Sequence, residues 1–258
     1  MKPKGYDVFG NIVVLKFPKD VKARDKKRFA EKFLKENKPI TTVLEKTGKF
    51  KGRLRKMQTR YIAGEKTKEA LYKENGCALR FNIDTTYFSP RLSNERKEIA
   101  MSVRKGEKVL VMFAGVAPYS VVIAKNSKAG KVVSNEINKE ANKYAKLNVE
   151  LNKLKKRVNI VPGDIKKVAK KIKEKFDVIV MPRPQLKDSF LREAFSLSKK
   201  GTRIYYYDFC KQDETQKIVD KVKSEAKKYR KKIKILRVKS AGEIAPYKIR
   251  VRVDAKVF

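Results

Sequence analysis

From residue 108 onward, short apolar runs alternate with helix-forming stretches, and this alternation restricts the chain to a layered α/β architecture with a parallel sheet. Residues 109–113, VLVMF, form a run of the kind buried inside such a sheet. Gly115 follows and lets the backbone turn tightly against a ligand. Residues 119–125 can then start a helix whose first amides face that ligand. Residues 131–137 read as a second strand ending at Glu136, and 157–164 as a third ending in Gly163-Asp164. Residues 176–184, FDVIVMPRP, read as a fourth strand closed by prolines, and 202–209 as a fifth with an aromatic run. Helices are expected over 138–154, 186–199 and 213–231. Two final strands, 233–238 and 248–257, have no helix between them and imply an antiparallel finish.

The first third is organised differently. Residues 6–17 read as a strand pair or a strand bent at Gly10, 20–36 as a helix with Phe29, Phe33 and Leu34 on one face, and 41–44 as a short strand. Residues 46–65 are dense in Lys and Arg, interleaved with Phe50, Leu54, Met57 and Tyr61. They read either as an exposed, solvated strand or as one that faces RNA. Residues 67–75 read as a helix closed by Gly76, and 77–83 as a strand. Pro90 fixes an extended or turning segment, and Ser93 or Asn94 is placed to cap a helix over 95–103.

Three successive strand ends thus carry a glycine loop, an acid about twenty residues further on, and a Gly-Asp. In dinucleotide-type folds, a carboxylate at that distance accepts two hydrogen bonds from a ribose diol. With the antiparallel finish, the pattern is the S-adenosylmethionine methyltransferase variant of the Rossmann-like fold. The expected architecture is a small α/β RNA-binding domain over 1–84, then a mostly parallel sheet with an antiparallel last strand over 85–258.

Charge narrows the partner. The 67 basic and 28 acidic residues give a formal net charge of +39, which calls for a polyanion, most simply nucleic acid. Lys enrichment from a hot habitat normally comes with Glu enrichment, which is missing here. Without histidine, any general base must be Asp, Glu, Lys or Tyr, and a histidine-based triad is excluded. Cys77 and Cys210 cannot make a zinc site by themselves, so no metal is expected. No apolar run approaches a membrane span, and the expected location is the cytoplasm.

Several stretches resemble one family. Tyr87-Phe88-Ser89-Pro90-Arg91-Leu92 with Glu95-Arg96, Met112-Phe113-Ala114-Gly115-Val116, Asn135-Glu136-Ile137-Asn138 and Gly163-Asp164 are similar to segments of the archaeal and eukaryotic tRNA (guanine-37, N1) methyltransferases. So are Gly52-Arg53-Leu54-Arg55 and Asn75-Gly76-Cys77. The resemblance implies methylation of the guanosine 3′ of the anticodon with S-adenosylmethionine, by a monomer that grips the tRNA anticodon stem-loop. It implies Glu95 as base for the guanine N1 proton, Arg55 at the guanine O6, and Tyr87 beside the methyl donor and the target base. Phe113, Ala114, Gly115 and Val116 would hold the methionine end of the cofactor. Glu136 would hold the ribose and Asp164 the adenine, with Ile137 and Ile165 beside them. Arg91, Pro182, Arg183 and Pro184 would meet the target nucleotide. Removing the N1 proton makes that nitrogen nucleophilic and pushes charge onto O6, where an arginine stabilises it.

The chain departs from the family pattern at Val111, where an acid is usual, at Ala117, where a second glycine is usual, and at Pro182-Arg183-Pro184, where Asn-Leu-Pro is usual. It also starts where the family's second domain starts, which implies looser discrimination among tRNAs. Two other readings stand beside the first. One is a wyosine-pathway tRNA transferase, methylating a tricyclic base or moving an aminocarboxypropyl group. The other is a non-catalytic RNA-binding paralogue.

Overall fold

The computed structural model describes residues 3–48, 52, 54, 56–183 and 188–258. It opens with β1 (Gly5–Phe9) and β2 (Ile12–Lys16), a hairpin turning through Gly10, then α1 (Ala23–Glu36), β3 (Thr42–Lys46) and β4 (Thr59–Gly64). These strands form one sheet in the order β1-β2-β3-β4, in which only β2 and β3 run parallel, joined across α1. As expected, Phe29, Phe33 and Leu34 of α1 pack on Val13, Leu15, Val43 and Ala63. The opposite face of this sheet is not solvated. Phe9, Ile12, Val14 and Leu44 share a core with Leu79, Phe81, Phe88 and Ile99 from the next part of the chain.

Residues 67–75 are not a helix. They contain β5 (Glu69–Glu74), which pairs antiparallel with β6 (Cys77–Asn82) across Asn75-Gly76. Both turn residues have positive φ, 46° and 71°, the backbone a two-residue hairpin turn requires and the reason for an Asn-Gly pair there. The outer edge of β6 is satisfied by side chains. Asn148 and Asn152, one helical turn apart, each accept a strand N–H and donate to the carbonyl of the same residue, at Arg80 and Ala78 respectively.

A 3-10 turn (Pro90–Leu92) leads into α2 (Ser93–Ser102), which starts two residues earlier than expected and has no side-chain cap. Then come β7 (Lys108–Met112), α3 (Pro118–Asn126), β8 (Lys131–Glu136), α4 (Lys139–Leu151), β9 (Val158–Pro162), α5 (Ile165–Lys171) and β10 (Phe176–Met181). The chain ends with α6 (Leu191–Ser196), β11 (Ser198–Lys211), α7 (Thr215–Lys228), β12 (Ile233–Ala245) and β13 (Lys248–Val257). The helix expected over 186–199 is the short α6, because β11 begins at Ser198. The sheet order is β12-β13-β11-β10-β7-β8-β9. Strands β7 to β11 pair in parallel, and β13 runs antiparallel between β11 and β12, the finish expected from sequence. No helix among the described residues is long and apolar enough to cross a membrane.

Candidate active site

The order reverses at β7, whose neighbours are β10 and β8, and such a switch point opens a crevice at the carboxyl ends of the strands. The loop after β7 has three left-handed residues, Phe113 (φ 56°), Gly115 (φ 58°) and Ala117 (φ 65°). Two of them carry a β-carbon, and each costs about 1–2 kcal/mol in that conformation. Such strain persists only where the surroundings enforce it, commonly at a binding site. Gly115 lies beside Tyr87, whose carbonyl oxygen would be in ordinary contact, at 3.4 Å, with a β-carbon added to the glycine.

Glu136 ends β8 and is buried. Its carboxylate accepts the Gly115 N–H at 2.8 Å and the Asn138 N–H at 2.7 Å, so one acid joins the glycine loop to the start of α4. Asn138 caps α4 by accepting the Glu140 N–H, and its amide donates to the carbonyl of Thr85 at 2.9 Å. That bond ties the segment carrying Tyr87 to the end of β8. Asn135 reaches the other way, donating to the carbonyls of Val161 in β9 and Gly163 just after it. Asp164 caps α5 through the Lys166 N–H at 3.0 Å.

These elements enclose a cavity. Phe113, Ala141 and Leu54 give it apolar walls, Glu136, Asn138 and Gly115 give it polar groups, and Tyr87, Pro182 and Arg183 complete the lining. Six residues expected from sequence therefore converge: Tyr87, Phe113, Gly115, Glu136, Pro182 and Arg183. Ala114 and Val116 are buried beside Gly115. Ile137, Asp164 and Ile165 stand at the adjoining strand ends without lining the cavity. Sequence reasoning missed Leu54, Asn138 and Ala141 as lining. The available signal was the Asn138 cap position directly after the Glu136 strand end. Arg55 and Pro184 lie outside the described residues.

A second cleft of about 340 Å³ shares Tyr87 with the first. It lies between the four-stranded sheet, through Asp7, Phe9 and Lys46, and the seven-stranded sheet, through Phe209 and Arg250. The Arg250 guanidinium lies over the Phe209 ring, 5.4 Å from its centre. Arg91 lines this cleft and pairs with Asp7 at 3.0 Å.

Glu95 lines neither cavity. It is 6% exposed, and both its oxygens are engaged: Oε1 by Lys239 at 2.7 Å, Oε2 by Arg252 at 2.7 Å and by the Tyr207 hydroxyl at 2.8 Å. Arg252 also binds Glu98 and Asp254, and Lys239 also binds Glu98. The neighbouring Arg96 is buried in a two-pronged pair with Glu74 at 2.5 and 2.6 Å, fastening α2 to the β5-β6 hairpin.

A sheet of this order, with a strained glycine loop after its central strand and a carboxylate ending the next, defines an S-adenosylmethionine-dependent methyltransferase. The chain belongs to the TRM5/TYW2 methyltransferase family, whose domain model matches residues 70–236, and a TYW2 N-terminal domain model matches residues 1–67. It is 33% identical to the tRNA (guanine(37)-N(1))-methyltransferase Trm5b of Pyrococcus abyssi, over 99% of this chain and 75% of that protein. It is 31% identical to the tRNA (guanine(37)-N(1))/4-demethylwyosine(37)-methyltransferase Taw22 of Nanoarchaeum equitans, over 96% of this chain and 98% of that protein. Among solved structures it resembles aTrm5 in complex with tRNALeu, with a TM-score of 0.85 and 28% identity over 100% of this chain and 73% of the other.

The residues present suit the cofactor this family uses. A left-handed glycine permits close backbone approach, a buried carboxylate already binding two N–H groups suits a ribose diol, and the Phe113 and Ala141 walls suit an adenosine face.

Proposed function

We propose that this protein transfers the methyl group of S-adenosylmethionine to N1 of guanosine 37 of tRNA, beside the anticodon. The carrying observation is that the cavity beside the glycine loop and the cleft of about 340 Å³ share one residue, Tyr87, which would put a cofactor in the first next to a nucleotide in the second. Bound S-adenosylmethionine supplies an electrophilic methyl group. Glu136, Phe113 and Gly115 hold the cofactor, and Tyr87 separates the two spaces and orients the base. Arg91 and Arg183 bind the target nucleotide or its phosphates, where Arg suits planar and anionic groups. The role of Arg55 is to stabilise charge on the guanine O6, and that of Glu95 is to take the N1 proton. For Glu95 this requires Lys239 to release Oε1, while Arg252 and Tyr207 keep hold of Oε2. The Lys239 side chain is 23% exposed and can turn toward an RNA phosphate.

In this reading residues 1–84 form the tRNA-facing part and 85–258 the methyl-transfer part, acting as a cytoplasmic monomer on the anticodon stem-loop. A second reading is favoured by the near-complete coverage of the Nanoarchaeum equitans relative, whose name includes 4-demethylwyosine: the same site would also methylate that tricyclic base. Nucleoside mass spectrometry after incubation with S-adenosylmethionine separates the two. Product from guanosine-37 tRNA supports the first, product from 4-demethylwyosine tRNA supports the second, and no product from either overturns both.

A further inference from the structure

The second cleft contains a carboxylate that the proposed chemistry does not use. Glu243 lines it together with Tyr87, Phe209 and Arg250. Irregular strand pairing brings it there. Ser240 lies opposite Val251 and Glu243 opposite Ile249, so Ala241 and Gly242 together face the single residue Arg250. A second register shift follows between Glu243 and Ala245. Gly242 takes φ 108°, a conformation that suits glycine. Bulges of this kind redirect side chains and are common beside active sites.

Asp7, the other carboxylate of this cleft, is paired with Arg91. Glu243 is exposed, and its carboxylate has no hydrogen-bond or ion-pair partner among the described residues. In a chain with 67 basic and 28 acidic residues, an uncommitted carboxylate in a cleft for a nucleic-acid base is unexpected as mere surface. A carboxylate only accepts hydrogen bonds. On the pairing edge of guanine the donors are N1–H and the exocyclic 2-amino group. Adenine has a bare C2–H and an unprotonated N1 at those places, which face a carboxylate unfavourably.

We infer that Glu243 is a specificity-determining residue that accepts a hydrogen bond from the 2-amino group of the target guanine. The inference rests on the proposed reaction at guanosine 37. The carboxylate rewards the correct base and penalises bases without that donor, so selection against the wrong base is part of the same contact.

The test compares methylation of tRNA transcripts carrying guanosine or inosine at position 37, since inosine differs only by lacking the 2-amino group. The wild-type protein should prefer guanosine by about 10- to 100-fold in kcat/KM, the worth of one hydrogen bond to a charged group. In Glu243→Ala this preference should fall to within about threefold, and Glu243→Asp should retain part of it. Melting temperature and cofactor affinity should not change in Glu243→Ala, because Glu243 is exposed and lies outside the cofactor cavity. A wild-type protein that does not distinguish the two bases, or an unchanged preference in Glu243→Ala, would overturn the assignment. A wild-type protein inactive on both tRNAs would overturn the reaction itself and the assignment with it.

Discussion

Arg252 and Glu95 are paired at 2.7 Å, joining the helix that follows the Tyr87–Arg91 segment to the last strand of the sheet. Arg252 is almost completely buried and also serves Glu98 and Asp254. Removing one partner of a buried charge pair leaves the other uncompensated. Arg252→Ala should therefore cost about 3–5 kcal/mol of folding stability. Urea unfolding measures it, and a loss below about 1 kcal/mol, the range of an exposed pair, would contradict the role given to Arg252.

The same cluster contributes to acid sensitivity. Burial raises the Glu98 carboxyl, but hydrogen bonds from Arg252 and Lys239 outweigh it and hold the pKa at about 2, below the ordinary 4.5. A carboxyl depressed on folding stabilises the protein above its unfolded pKa, and that contribution is lost as pH falls through the folded value. Asp254, raised by burial, acts in the opposite direction. Glu98 should make stability decline between about pH 4.5 and 2, and Glu98→Gln should flatten that decline. Thermal melts across this range provide the check.

Asn148 serves as a surrogate strand partner for Arg80, accepting its N–H at 2.7 Å and donating to its carbonyl at 3.0 Å. It donates from the same amide to the carbonyl of Val116, beside the glycine loop. Asn148→Ala should destabilise by about 1–3 kcal/mol through unsatisfied polar groups. Hydrogen exchange at the Arg80 amide should accelerate, and protection equal to wild type would refute the pairing.

The seven-stranded sheet was legible because β7, β8 and β10 carry apolar runs bounded by turn residues and β13 alternates apolar with charged residues. The cavity beside the glycine loop was legible because its loop and acid are set by local strand ends. The β5-β6 hairpin was hidden by composition. Glu69, Ala70, Leu71 and Lys73 are good helix formers, and the strand's alternation is blurred by an exposed Leu71 and a buried Glu74. Asn75-Gly76 was the stronger signal and marks a hairpin turn. The partners of Glu95 could not be read locally, since Lys239 and Arg252 come from strands at the far end of the chain.

Glu136 is the one acidic residue lining the cavity among the described residues, and the lone pairs left beside its bonds to the Gly115 and Asn138 N–H groups are open to a ribose diol. Glu136→Ala should weaken S-adenosylmethionine binding by at least about 10- to 100-fold, the worth of a single hydrogen bond to a charged group. Isothermal titration calorimetry measures this directly. Unchanged affinity would mean that the cofactor is held elsewhere.

The proposed reaction needs the two cavities meeting at Tyr87 to place a methyl donor beside guanosine 37. The most direct measurement is mass spectrometry of nuclease fragments from an unmodified tRNA after incubation with the protein and S-adenosylmethionine. The expected result is one added methyl group, confined to the fragment containing position 37, released as 1-methylguanosine and absent when that guanosine is replaced by adenosine. A methyl group on any other fragment, or none on a tRNA that the protein binds together with the cofactor, would contradict it.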